Sequence, residues 1–177
     1  MSTANAAVFP ELRVLVTGGT IDKTYSPVEG TLGFSRTNVL AMLQQARVAL
    51  PEAQVQTVLL KDSLEMTDAD RDRIRAAAAA APEPRIILTH GTDTMILTAQ
   101  HLAQANLGKT VVLVGAMVPY TFSNSDGLFN LGTAFAAGER FPKCRNVSCA
   151  SFYCRMAKPF TTPSSTGTLS YENQVFP

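Results

Sequence analysis

Four short apolar runs, each stopping at a cluster of small polar residues and each followed by a stretch of different periodicity, limit this chain to few folds. The first covers residues 12–16 and halts at Thr17-Gly18-Gly19-Thr20. The second covers residues 55–60 and halts at Lys61-Asp62-Ser63. The third, Ile86-Ile87-Leu88, runs through Thr89 into His90-Gly91-Thr92-Asp93-Thr94, and the fourth, residues 110–114, ends at Gly115-Ala116. Val, Ile and Leu in runs this short, bounded by Gly and hydroxyl residues, predict buried strands.

Between the strands the apolar spacing turns helical. Val39, Leu40, Leu43, Ala46, Arg47 and Leu50 recur at helical intervals, with Thr37 or Asn38 as cap and Pro51 beyond the end. Thr67 followed three residues later by Asp70 resembles a capping box with Asp in place of Glu. The alanine run it introduces, residues 76–81, favours helix until Pro82. A third helix is predicted to about Asn106, closed by Gly108, with Thr92 and Asp93 as candidate caps. A fourth is predicted from about Asp126 to Arg140, and residues 147–152 predict a fifth strand. Residues 24–34 carry Pro27, Gly30 and Gly33 without an apolar period and predict a long loop.

Strand–helix alternation requires crossover connections. The expected fold is therefore α/β: a three-layer Rossmann-like or flavodoxin-like arrangement, with a mostly parallel sheet and helices on both faces. Residues 1–140 are expected to form the main α/β domain. Residues 141–177, where the pattern loses its period and residues 160–168 are rich in Pro, Ser, Thr and Gly, are expected to add a last strand and an irregular tail. At 177 residues and 46% hydrophobic, the chain can bury a sizeable core. Its net charge of +1 gives no electrostatic reason to expect nucleic acid or an anionic membrane as partner. No apolar run is long enough to span a bilayer, and the first ten residues do not read as a secretion signal. Cys144, Cys149 and Cys154 are odd in number and lack C-x-x-C spacing, so free thiols in a reducing cytoplasm are expected.

In an open parallel sheet, ligands bind beyond the carboxyl ends of the strands. All four polar clusters fall there. They bring hydroxyls, the carboxylate of Asp93, and glycines that let a ligand approach the backbone. No metal-type cluster of His, Asp and Cys is present, and neither a dinucleotide nor a P-loop glycine pattern occurs, so no metal or cofactor is expected. This inventory fits acyl transfer by a hydroxyl nucleophile. His90 reads as a hydrogen-bonded structural histidine and His101 as a helix-surface residue.

Three segments then carry a specific resemblance. Thr17-Gly18-Gly19-Thr20-Ile21 is similar to the first signature of the bacterial-type L-asparaginase family, and Thr89-His90-Gly91-Thr92-Asp93-Thr94-Met95 to the second. Gly115-Ala116-Met117, with Ser125-Asp126-Gly127 and Phe129-Asn130-Leu131, resembles a third stretch. The resemblance runs from about Leu12 to Ala137.

It implies hydrolysis of L-asparagine to L-aspartate and ammonia, with minor glutaminase activity. Thr20 would be the nucleophile and Tyr25 the group that takes its proton. Thr92 and Asp93 would assist attack, and Asp93 would also pair with the substrate ammonium. Ser63 would hold the substrate carboxylate, and Gly19 and Ala116 would border the substrate. The family's lysine falls nearest Lys158. Leu64 stands where many members carry a glutamine, and Glu65 follows it. Longer members add a C-terminal domain that contacts a neighbouring subunit's site, so a homodimer or higher homo-oligomer is implied, with a more open site in a shorter chain. The alternative is a non-catalytic amino-acid-binding module that keeps the pocket.

Overall fold

The computed structural model describes residues 9, 11–140 and 147–149. Its main sheet has five parallel strands: β1 (Leu12–Gly18), β4 (Val55–Lys61), β5 (Arg85–Thr89), β6 (Thr110–Val114) and β7 (Val147–Cys149). They are ordered β4-β1-β5-β6-β7. Two further strands, β2 (Thr24–Ser26) and β3 (Thr31–Gly33), form a separate antiparallel hairpin.

Period-two alternation sorts the strand side chains into two cores. Leu12, Val14 and Val16 of β1, Ile87 of β5, and Val112 and Val114 of β6 face one side. There they meet helix α1 (Val39–Gln45) and helix α4 (Gly127–Arg140) through Val39, Met42, Leu43, Leu131, Ala134 and Phe135. Leu15, Ile86, Leu88, Val111 and Leu113 face the other side. They pack on helix α2 (Asp68–Ala80) and helix α3 (Met95–Gln104) through Ile74, Ala78, Met95, Ala99 and Leu102. Helices thus cover both faces of the sheet, as parallel pairing demands. Among the described residues no helix is long and apolar enough to cross a membrane.

The local signals that held are those made by neighbours in sequence. Thr67 accepts the Asp70 N–H while the Asp70 carboxylate accepts the Thr67 N–H, closing the capping box on α2. Thr37 Oγ1 accepts the Val39 N–H at 3.1 Å at the start of α1.

Elsewhere the structure departs from the expected pattern. Residues 24–34 are not a loop throughout: Tyr25 pairs with Leu32, flanked by Thr24–Gly33 and Ser26–Thr31. The hairpin projects into solvent, with Tyr25 and Leu32 exposed, so it has no buried face to impose an alternating pattern. Helix α1 stops at Gln45 and does not reach Leu50. Arg47 takes φ 55°, the Val48 N–H returns to the Leu43 carbonyl, and the Arg47 N–H to that of Gln44. This is a Schellman stop built without glycine, hence silent in the sequence. Asn106, at φ 46°, also turns left-handed after α3, with its N–H on the Ala103 carbonyl, two residues before Gly108. The residue capping α3 is Thr94, and not Thr92 or Asp93. Of the strand expected over residues 147–152, Val147–Cys149 is described. Residues 150–152, Lys158 and the expected tail lie outside the described residues.

Candidate active site

Strand order decides where the crevice opens. From β1 the chain moves outward to β4, then returns to place β5 on the other side of β1. The order therefore reverses between β1 and β5, and a parallel sheet opens its ligand crevice at such a switch point. The two turns that flank it are Thr17-Gly18-Gly19-Thr20 and His90-Gly91-Thr92-Asp93.

These turns are in backbone contact, and glycine makes the contact possible. A Cβ on Gly19 would run into the Gly91 nitrogen and lie 2.5 Å from the His90 carbonyl carbon, where no real Cβ fits. Gly19 also holds φ 80°, which disfavours any side chain. Gly91 in turn lies under Ser63, whose Cβ would stand 2.7 Å from an added methyl carbon. Thr94 Oγ1 donates to the Ser63 carbonyl at 2.7 Å. On the far side, a Cβ on Gly115 would fall 2.6 Å from the His90 carbonyl oxygen and 3.2 Å from Thr92 Cγ2. Four strand ends, distant in sequence, thus close on one another through three glycines.

Hydrogen bonds lock the two central turns. Thr17 Oγ1 donates to the Thr89 carbonyl at 2.5 Å, and Thr89 Oγ1 accepts the Thr17 N–H at 3.2 Å. His90 is fully buried. A carbonyl only accepts, so Nδ1 donates to the Gly91 oxygen at 2.7 Å, leaving Nε2 to accept the Thr98 hydroxyl at 2.8 Å. Burial foremost, with the Arg71 cation adding, pushes this imidazole down to about 4, so it is neutral at pH 7 and serves as a strut.

Two further carboxylates, Asp22, which the sequence did not single out, and Asp126, from the third resembling stretch, fasten neighbouring segments. Asp22, two residues after Thr20, is fully buried. It accepts the Asn38 N–H at 2.7 Å and the Thr37 hydroxyl at 3.1 Å, fastening the Thr20 turn to the start of α1. Burial raises its carboxyl to about 6 against these hydrogen bonds. Asp126 accepts the N–H groups of Met117 and Val118 and the amide of Asn130, holding the segment after Gly115. The Asp126–Asn130 spacing at a helix start was the visible sign. Asp22 had none, because its partners lie across a hairpin.

Asp22 and His90 titrate with opposite sign. Between about pH 4 and its ordinary value of 6.5, His90 is protonated only when unfolded, so stability falls as pH falls. Between 3.8 and about pH 6, Asp22 is protonated only when folded, so stability falls as pH rises. Each effect is worth about 3 kcal/mol over its window, and the windows overlap from pH 4 to pH 6. The parent chain is therefore expected to keep a nearly level stability there. Asp22→Asn removes one slope, and its stability should drop by about 1.4 kcal/mol for each pH unit below 6. Urea unfolding across this range decides; parallel curves for parent and variant would refute the pairing.

The structure places the remaining residues of interest as follows. Thr20 and Thr92 are half-buried, one residue on from the Gly19–Gly91 contact, and Asp93 is exposed beside Thr92. Ser63 is 1% exposed, and its Oγ has no hydrogen-bond partner among the described residues. Ala116 is buried at the end of β6. Tyr25 stands on the hairpin with 57% of its surface exposed. Among the described residues no group of three His, Cys, Asp or Glu is placed to hold a metal ion.

A five-stranded parallel sheet whose switch point is lined by hydroxyl-bearing turns and a carboxylate defines a class of α/β proteins with the parts for amide or ester chemistry. Residues 11–150 match the family described as Asparaginase, N-terminal. The chain belongs to the asparaginase family. It is 32% identical over 139 residues to L-asparaginase 1 of Escherichia coli K12, covering 73% of this chain and 40% of that protein. Its fold matches the crystal structure of L-asparaginase I from Vibrio cholerae with a TM-score of 0.65 and 28% identity, over 78% of this chain and 43% of that one. The thermostable L-asparaginase from Thermococcus kodakarensis matches with a TM-score of 0.63 and 30% identity, over 78% and 43% respectively. The chain spans about two fifths of the length of these relatives.

Proposed function

We propose that this chain hydrolyses L-asparagine to L-aspartate and ammonia, with Thr20 as nucleophile. The observation that carries the reading is the backbone contact between Gly19 and Gly91 at the switch point. Thr20 and Thr92 each follow one of these glycines, and in this reading they stand on the two walls of one crevice, with the Asp93 carboxylate on the second.

A free threonine hydroxyl is a poor nucleophile at neutral pH and needs a partner for its proton. Tyr25 takes that role when its hairpin folds over the crevice. Thr20 Oγ1 attacks the side-chain amide carbon, and the oxyanion that develops is met by backbone N–H groups near Gly19 and Thr92, each worth about 3 kcal/mol. Collapse expels ammonia and leaves an ester on Thr20, which water assisted by Thr92 and Asp93 then cleaves. Asp93 pairs with the substrate ammonium and Ser63 with its carboxylate, while Gly19 and Ala116 border the ligand. No cofactor enters this scheme. The chain works in the cytoplasm as a homodimer or higher homo-oligomer, a reading that rests on its cysteine pattern and on family likeness.

The test is ammonia release from L-asparagine compared with L-glutamine. Glutamine is one methylene longer, which typically discriminates by about 1–3 kcal/mol, so an asparagine preference of roughly 10- to 200-fold is expected. A second reading, a binding module without turnover, draws on the buried Ser63 hydroxyl and on the chain spanning two fifths of its relatives. Calorimetric binding of asparagine with no ammonia would establish it and end the hydrolase reading.

A further inference from the structure

We propose that Lys23 and Asp62 form a latch that positions the β2–β3 hairpin, and Tyr25 with it, against the turn that carries Ser63. The catalytic half of this proposal rests on the asparaginase reading above; the structural half does not.

Lys23 stands at a junction. Its N–H closes the short turn Thr20–Asp22 on the Thr20 carbonyl at 3.1 Å, and the next residue begins β2. Its ammonium Nζ donates to Asp62 Oδ2 at 2.5 Å. The same ammonium lies 5.9 Å from the ring centre of Phe34, one residue past the end of β3. One side chain therefore touches both feet of the hairpin. Its carbonyl also accepts the Thr121 hydroxyl at 3.5 Å.

Asp62 divides its two oxygens. Oδ1 accepts the Leu64 N–H at 3.0 Å, capping the turn Ser63–Glu65, while Oδ2 holds Lys23. The carboxylate is thus a rigid part of the Ser63 turn, and anything bound to Oδ2 is placed relative to Ser63. Lys23 and Asp62 are 39 residues apart, and the pair carries the β1–β4 contact, which ends at Gly18–Lys61 and the Gly19 N–H on the Lys61 carbonyl, out to the foot of the hairpin. Both side chains are about one quarter exposed, at 23% and 26%. Water and salt screen a pair at such a site, so it can open and re-form without unfolding the sheet. The hairpin's base is also held by Asp22 on Thr37 and Asn38 and by the Thr24–Ser35 hydroxyl pair, but its outer part, with Tyr25, Val28 and Leu32 exposed, packs on nothing that would fix it. Lys23 is accordingly a positioning residue: it acts through Tyr25 and Ser63 and not on substrate.

Two variants separate the charge from the turn. Lys23→Met removes the cation. Asp62→Asn keeps an oxygen for the Leu64 N–H and removes only the anion. Amide hydrogen exchange on the full chain without substrate reads the latch directly. Residues 24–34 are expected to exchange several-fold faster in each single variant, with no further gain in the double variant, while β5 and β6 keep the parent's protection. Lys23→Arg should restore the parent pattern. Unchanged exchange in residues 24–34 in both single variants would overturn the latch.

Kinetics then read positioning: kcat for asparagine is expected to fall about tenfold in Lys23→Met and Asp62→Asn and to recover in Lys23→Arg, with raised salt lowering the parent toward the variants. Faster exchange with unchanged kcat and KM would overturn the positioning role. If the parent releases no ammonia, the asparaginase reading fails alone, and the exchange data still decide the latch.

Discussion

Thr20→Ala is expected to cut ammonia release from L-asparagine by at least about 10⁴-fold, because removing a nucleophile leaves only the rate supplied by binding and oxyanion contacts. Thr20 is half-buried and is no part of either apolar core. Losing its hydroxyl and methyl should therefore change stability by less than about 1 kcal/mol. A melting curve that overlays the parent would assign the lost rate to chemistry. Thr92→Ala tests the opposite wall. Under the proposed scheme it also disables turnover, and the double variant should be scarcely slower than either single one, since residues acting as a unit are not additive. A Thr20→Ala protein that keeps the parent's rate would remove Thr20 from the mechanism.

The second large effect is on architecture. Gly19→Ala must fit a methyl carbon against the backbone of His90 and Gly91, and must do so at φ 80°. With ψ at 177° this backbone lies in a region open essentially to glycine alone, which costs another residue roughly 1–3 kcal/mol, and overpacking against atoms that cannot rotate away adds roughly 1–3 kcal/mol. The expected loss is about 2–6 kcal/mol, read by urea unfolding. Gly30→Ala is the control. It shares a positive φ, at 67°, but an added Cβ there meets nothing within 4 Å, so it should cost only the backbone contribution. Gly19→Ala is therefore expected to lose clearly more stability than Gly30→Ala. Because the contact between the turns sets the gap between the walls, activity should fall by about 100-fold even where Gly19→Ala folds, since misplacement by an ångström is enough to cost that much. Equal stability for the two variants would mean the turns do not press together.

Both experiments probe features of different visibility. The T-G-G-T turn stood out as letters, and so did the turn of residues 89–94, because each interrupts an apolar run. Asp22 did not. A carboxylate between Ile21 and Lys23 reads as a surface residue, yet it is fully buried and linked to Thr37 and Asn38. Lys23 and Asp62 were equally silent, since nothing local distinguishes a bridging charge from a solvated one. The ends of α1 and α3 depart from the periodic pattern for a related reason. Arg47 and Asn106 take the left-handed conformation usually marked by glycine, and only the closing hydrogen bonds reveal it. The hairpin is invisible in the letters because strands with no buried face leave no alternating pattern.

What the order of residues alone determined was whatever neighbours decide among themselves: strand or helix, the Thr67–Asp70 box, the polar ending of each strand, and hence a parallel sheet with helices on both faces. These depend on propensity, periodicity and contacts three or four residues apart, all of which are written in adjacent letters. The tertiary structure alone decided that β5 lies beside β1, that Gly19 meets Gly91, that Ser63 roofs Gly91, and that Lys23 reaches Asp62. Those facts follow from how two apolar faces pack against four helices, and packing joins residues by shape and volume without regard to their distance along the chain.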